Sequence, residues 1–327
     1  MNQTARIIGR HFIVSFAEDL PRDSTLYFLQ DNLIGGIILF ANHCKDVQSV
    51  RHWVTDLKKS LKRPFIVAVD QEGGRVRRFR QGFPSLEAPR YYGYYENMKQ
   101  YRSDLARTCE QLYEVGINCN LVPCVDLFDE GQGHVLDSRT FSDDIETVVT
   151  FAAETIRLHR ANGLLTCLKH FPGLGRTTGD PHAVLSAADL DEKDFFEIEL
   201  QPYQRLMDHN PDMVMVTHIS LPKIDSVPSL VSEKIITGWL KKKIGFTGPV
   251  ISDDLLMRGA ADIDPTPGLA VKAFNAGNDI LLFGQNLPRC REFFDAAIEA
   301  IEERRISPER LTDAAHRVRM CFDQLIE

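Results

Sequence analysis

The sequence contains no apolar run approaching the length of a membrane span. Its opening stretch, MNQTARIIGRHFIVSFAED, lacks the uninterrupted apolar segment and the small-residue cleavage site of a secretory leader. None of the seven cysteines forms a CxxC pair, and an odd count does not suit a disulfide framework. Reduced thiols in a cytoplasmic protein are the expectation. Basic residues are in deficit, 38 Lys and Arg against 46 Asp and Glu, for a formal net charge of -8. That balance argues against nucleic-acid or anionic-membrane partners, which require a basic face. The one compact basic run, Lys241 to Lys243, reads as the solvated end of a helix. Low-complexity tracts and interdomain linkers are also missing, so the 327 residues read as a single domain, 1–327, either a monomer or a weak oligomer.

What is present is a repeated alternation. Short apolar runs lie at 11–17, 35–41, 64–70, 117–126, 164–170, 213–219, 248–254 and 278–284. Several are continuously hydrophobic, as strands buried on both faces are. Helical patterns separate them. In 145–163, Ile145, Val148, Val149, Ala152 and Ile156 recur at helical spacing and Gly163 supplies a stop. The last helix opens with Ser307 as N-cap and Pro308 at the first helical position. Eight strand–helix units predict an α/β fold, a (β/α)8 TIM barrel, with one helix beyond the minimal set. A doubly wound open sheet is the alternative, because periodicity alone cannot close a ring.

In a barrel, the C-terminal strand ends and the loops after them face the site. Polar residues gather there. The third run ends in Asp70 and continues QEGGRVRR; the fourth ends in Asp126, and its loop carries Arg139. The fifth ends in Lys169 and His170, the sixth in Thr217 and His218, the seventh in Asp253 and Asp254. His43 in FANHC and Met257 after SDDLL lie near the same mouth. Beyond the fifth run, LKHFPGLGRTTGDPH places Asp180 and His182 in a glycine- and proline-rich loop. Interleaved carboxylates and cations suit a polyhydroxylated ligand, whose hydroxyls both donate and accept. A carboxylate after the seventh strand has the chemistry of a nucleophile on an anomeric carbon. An aspartate against one imidazole nitrogen fixes the tautomer and leaves the other nitrogen for proton transfer. Spacing does not choose between Asp253 and Asp254, because neighbours on a strand point opposite ways. Asp126 reads as an orienting group for Arg139 or Lys169.

The motifs VDQEGGRVRR, KHFPGLG, GDPH, TH and ISDDLLM together resemble the bacterial β-N-acetylglucosaminidases of glycoside hydrolase family 3. The resemblance implies Asp253 as nucleophile and His182 as general acid/base, with Asp180 as its partner. It implies sugar binding by Asp70, Arg78, Arg139, Lys169 and His170; His218, after strand six, reads either as a further sugar-binding residue or as a structural hydrogen-bonding group of the mouth. It also implies a retaining two-step hydrolysis of terminal β-linked GlcNAc, with a cell-wall fragment as the substrate. A β-glucosidase, a GlcNAc phosphorylase and a non-catalytic sugar-binding homologue are the alternatives. No metal and no cofactor is implied; the partner is a small carbohydrate. The chain departs from many relatives at Leu174, where they carry histidine, at Pro181 between the dyad residues, and at Ser138 before Arg139.

Overall fold

Side-chain alternation explains why each apolar run becomes a strand with both faces covered. The computed structural model describes residues 3–128, 134–177 and 185–325. The strands are β1 (Phe12–Val14), β2 (Gly36–Leu39), β3 (Ile66–Val69), β4 (Cys119–Asn120), β5 (Leu165–Phe171), β6 (Met213–Val216), β7 (Val250–Ser252) and β8 (Leu281–Leu282). Ile13, Ile38, Ile66, Cys119, Met213 and Ile251 form an inner cluster. Their neighbours Val14, Ile37, Val67, Val214 and Val250 join the larger cluster shared with the surrounding helices. The period of two thus builds two cores from one set of strands.

Strand order separates the two candidate architectures. Every pairing is parallel, and the order β8-β1-β2-β3-β4-β5-β6-β7 follows the chain without reversal. A bridge between Ile251 and Ile280, with the Ser252 N–H donating to the Ile280 carbonyl at 2.9 Å, joins the last pair. The sheet is therefore a (β/α)8 TIM barrel and not a doubly wound sheet. A two-stranded flap of Ser186–Ala187 and Ile219–Ser220 sits beside the mouth strands.

The additional helix, Pro308–Asp323, has Ser307 as its N-cap, accepting from the Arg310 N–H at 3.2 Å, and Pro308 at its first position. Its Val318 and Cys321 belong to the inner cluster, so the helix stoppers the end of the barrel opposite the mouth. Asp279, fully buried ahead of β8, fastens this closure. Its carboxylate accepts from Lys241 at 2.9 Å, from Arg310 at 2.8 Å and from the Val250 N–H at 2.9 Å. The basic run therefore departs from the expectation of a solvated helix end. Lys241 is only 5% exposed because Asp279 draws it inward. Lys243 lies over the Phe196 ring, and Lys242 is exposed.

Arg310 also donates to the carbonyls of Phe274 and Asn278. Replacing it leaves Asp279 buried and under-compensated. Arg310→Met is expected to lower the unfolding free energy by about 3 kcal/mol. Urea unfolding at pH 7 checks this, and an unchanged midpoint contradicts the role given to Arg310.

Candidate active site

The mouth of the barrel holds a cavity of about 280 Å³. That is near the lower end of ligand pockets, which run roughly 300–1,000 Å³, and suits one sugar ring better than an extended chain. Its wall is a linked set of charges. Asp70, directly after β3, accepts from Arg78 at 2.9 Å and from Lys169 at 2.8 Å. Lys169, 2% exposed near the end of β5, reaches Glu72 as well, at 2.7 Å. Arg139 then clamps both Glu72 oxygens at 2.8 Å each. Burial disfavours ionisation at Asp70, but Lys169 and Arg78 outweigh it and hold the carboxyl at about 2. Burial likewise opposes charge on Glu72, and Arg139 and Lys169 overcome it and depress the carboxyl further.

Neighbouring strand residues ordinarily face opposite sides, yet Lys169 and His170 both line the cavity. The pairing of β5 with β6 slips between Leu168 and Phe171, and this irregularity turns both side chains to one face. His170 is held by Asp126: Nδ1 lies 2.7 Å from Oδ2, and the His170 backbone N–H donates to the same oxygen at 3.1 Å. Burial resists ionisation of Asp126, and its contacts with the His170 imidazole and the Leu174 N–H offset this and lower its pKa. An ionised Asp126 accepts from Nδ1, which leaves Nε2 to accept from Arg139 at 3.2 Å. Asp126 therefore orients His170, and Glu72 performs the orienting of Arg139 and Lys169 expected of Asp126. Ser138, just before Arg139, has φ +63°.

Hydrogen bonds distinguish the two aspartates after β7, both of which touch the cavity. Asp254 Oδ1 accepts from the N–H groups of Leu256 and Gly284, each at 2.9 Å, and so ties the loop to the end of β8. Asp253 accepts from the Asp254 N–H at 2.8 Å and from the Thr217 hydroxyl at 3.2 Å. Its carboxylate is steadied on two sides and remains part-exposed toward the cavity. His218 is buried just after β6 and lies outside the cavity lining. His43 is structural: Nδ1 accepts from the Phe40 N–H at 2.8 Å, and Nε2 then donates to the Phe16 carbonyl at 3.0 Å. Met257 and Leu174 line the cavity. Asp180 and His182 lie outside the described residues.

Among the described residues, one group has the closeness of a metal site: Cys124, Asp126 and His170 bring one ligand atom each within 4.8 Å of one another. Burial, then the charge of Asp126, pushes the Cys124 thiol well above its usual range. The thiol donates to Asp126 Oδ2 at 3.2 Å. A protonated thiol is a poor ligand, and the trio reads as an internal hydrogen-bond cluster.

The profile of the glycosyl hydrolase family 3 N-terminal domain matches residues 13–321. The chain belongs to glycosyl hydrolase family 3. It is a glycoside hydrolase by descent, and its barrel is the family's. A β-hexosaminidase of Haemophilus influenzae is 33% identical over 260 residues, 78% of this chain and 73% of that relative. A family 3 β-N-acetylglucosaminidase from a Paenibacillus species superimposes with a TM-score of 0.93 at 25% identity. The match covers 99% of this chain and 62% of that one, so the chain spans about three fifths of the larger protein. A β-N-acetylhexosaminidase from Beutenbergia cavernae gives a TM-score of 0.89 at 25% identity and covers 99% of both chains.

Glu72 is the site residue that sequence reasoning passed over. The signal was there: two positions beyond Asp70 on an extended segment puts both carboxylates on one side. Thr217, which steadies Asp253, was equally readable from the TH pair at the end of the sixth run. Removing the Glu72 charge leaves Lys169 and Arg139 buried and short of anions. Glu72→Gln is expected to cost about 3–5 kcal/mol of stability at pH 7. Because the folded carboxyl ionises below its unfolded value of roughly 4.3, its stabilisation is present above that pH and lost as pH falls. The gap between wild type and variant should therefore narrow toward pH 3. Denaturant unfolding at both pH values tests this, and a constant gap contradicts it.

Proposed function

We propose that this protein is a retaining exo-β-N-acetylglucosaminidase. The observation that carries the reading is the meeting of the Asp253 carboxylate with the Asp70, Arg78, Lys169, Arg139 and His170 wall at one cavity of sugar-ring size. The paired charges present fixed donors and acceptors to ring hydroxyls. A cavity of ring-sized volume favours a terminal residue over an internal one. The names of the relatives, β-hexosaminidase and β-N-acetylhexosaminidase, support the N-acetylated sugar.

In this mechanism Asp253 attacks the anomeric carbon while His182 protonates the leaving oxygen, with Asp180 holding the imidazole. The C–O bond breaks as the Asp253–carbon bond forms. His182, now neutral, takes a proton from water, and the hydroxide displaces Asp253 with overall retention. The Thr217 hydroxyl and the Asp254 N–H fix the trajectory of the nucleophile. The natural substrate is a GlcNAc-terminated cell-wall fragment and the site of action is the cytoplasm. Motif resemblance supports the former; the seven unpaired, buried cysteines support the latter. Among the described residues no helix is long and apolar enough to cross a membrane.

Asp253→Asn should lower turnover of an aryl β-N-acetylglucosaminide by more than roughly 10³-fold in a folded protein. Near-normal turnover would refute the nucleophile. His182→Ala should slow substrates with poor leaving groups by roughly 10²–10⁴-fold and activated aryl glycosides far less. Equal losses on both would remove His182 from the acid role. GlcNAc-1-phosphate formed in phosphate buffer would replace hydrolysis by phosphorolysis.

A further inference from the structure

Beyond β5 the chain runs Gly173, Leu174, Gly175, Arg176, Thr177, and a carboxyl group lies beneath this turn. It belongs to Glu199, at the end of the π-helical turn Phe195–Glu199 and only 2% exposed. A Cβ at Gly173, where φ is +134°, would fall 2.8 Å from Glu199 Oε2. One at Gly175 would fall 3.6 Å from the same oxygen and 1.8 Å from the Leu127 carbonyl oxygen. Gly173 is glycine for its positive φ and the carboxyl beside it, and Gly175 because the Leu127 carbonyl fills the space. Arg176 Nε stands 3.2 Å from Glu199 Oε1. Apart from that ion pair, neither Glu199 oxygen meets a donor among the described residues.

The same turn is held by a second carboxylate. Leu174 donates its N–H to Asp126 Oδ1 at 2.8 Å, while the other Asp126 oxygen holds His170. Leu174 and His170 both wall the cavity. We propose that Glu199 is a positioning residue of this active site, whose carboxyl seats the Gly173–Arg176 turn, and with it Leu174, against the sugar cavity. This deepens the glycosidase reading and rests on it.

The groups facing Glu199 are Arg176 on the turn, Asp126 after β4 and Tyr203 on the following helix, with Cys124 behind Asp126. Burial, then the negative charge of Asp126, pushes the Glu199 carboxyl up to about 7 against the pull of Arg176. Protonated, it sits beneath the glycines without opposing Asp126. Ionised, it repels Asp126 and draws Arg176 in. The change reaches the cavity through the Leu174 N–H and through His170, since Asp126 holds both. A folded value above the unfolded one stabilises the fold below about pH 4.5, and this is lost as pH rises through about 7.

The test uses Glu199→Gln and Glu199→Ala in the full chain, with two readouts. The first is kcat and KM for an aryl β-N-acetylglucosaminide from pH 5 to 9. The second is thermal unfolding at pH 5 and pH 8. Wild-type kcat/KM should fall above about pH 7 through two ionisations, that of Glu199 and that of the His182 acid, and E199Q should lose the first and show a shallower alkaline limb. E199A should lower kcat about tenfold or more with a smaller change in KM. The Tm of E199Q relative to wild type should be higher at pH 8 than at pH 5 by roughly 2–4 °C. An E199Q activity profile superimposable on wild type overturns the proposal, whatever E199A does. If E199A does not fold, E199Q carries the test. A wild type that turns over no aryl glycoside sinks the glycosidase reading instead. The unfolding pair then judges Glu199 alone, and a Tm difference independent of pH overturns it.

Discussion

A buried ammonium group is the constraint on which the mouth of this barrel depends. Lys169 is 2% exposed and keeps its charge because Asp70 and Glu72 stand 2.8 and 2.7 Å away. Desolvating an unpaired ammonium would cost several kcal/mol. The two carboxylates follow β3 and the lysine ends β5, so the ends of strands separated by β4 must be held in fixed register. The parallel pairings Ala68–Cys119 and Cys119–Leu165 supply that register. Arg139 extends the network to the loop after β4, and His170 extends it to Asp126. A polar site of this kind is pre-organised before any ligand arrives, which is what recognition and catalysis by fixed dipoles require.

The closed end of the barrel uses the same physics for another purpose. Asp279 is as buried as any residue of the mouth and is likewise surrounded by cations, Lys241 and Arg310. It also accepts from the Val250 N–H of β7, and it is fully buried. It fastens a helix. At the mouth, by contrast, the network lines empty volume, and Asp253 stays part-exposed. Burial and charge pairing are shared by the two ends; only access to a ligand-sized space distinguishes a site from a rivet.

This contrast also explains what was legible in the sequence. The eight strands were readable because apolar runs buried on both faces leave a strong pattern, and their order follows from chain connectivity. Charged residues at strand ends marked the mouth, and the resemblance to family 3 singled out Asp70, Arg78, Arg139, Lys169 and His170 together. What connects them could not be read. That Glu72, and not Asp126, orients Lys169 and Arg139 is a matter of which side chains converge across β4, and local spacing carries no such distance. Nor could composition reveal that Lys241 turns inward, because its partner Asp279 lies 38 residues away. The Asp253–Asp254 pair illustrates the limit most sharply. Two identical side chains differ in their partners: Asp254 takes the N–H groups of Leu256 and Gly284, whereas Asp253 takes the Asp254 N–H and the Thr217 hydroxyl.

The charge arrangement also constrains what occupies the deep part of the cavity. Arg78, Lys169 and Arg139 each already meet a carboxylate within 3 Å. The lining holds four carboxylates, Asp70, Glu72, Asp253 and Asp254, and four cations, the fourth being Arg75, whose guanidinium is held by the carbonyls of Asp137 and Val135. An anionic ring would have to compete with those carboxylates for Arg78, Lys169 and Arg139, at the cost of breaking buried pairs. A neutral ring rich in hydroxyls meets no such barrier, since each hydroxyl can donate to a carboxylate and accept from a cation without breaking the pairs. The same paired charges that keep Lys169 ionised therefore favour a neutral, hydroxyl-rich ring over an anionic one.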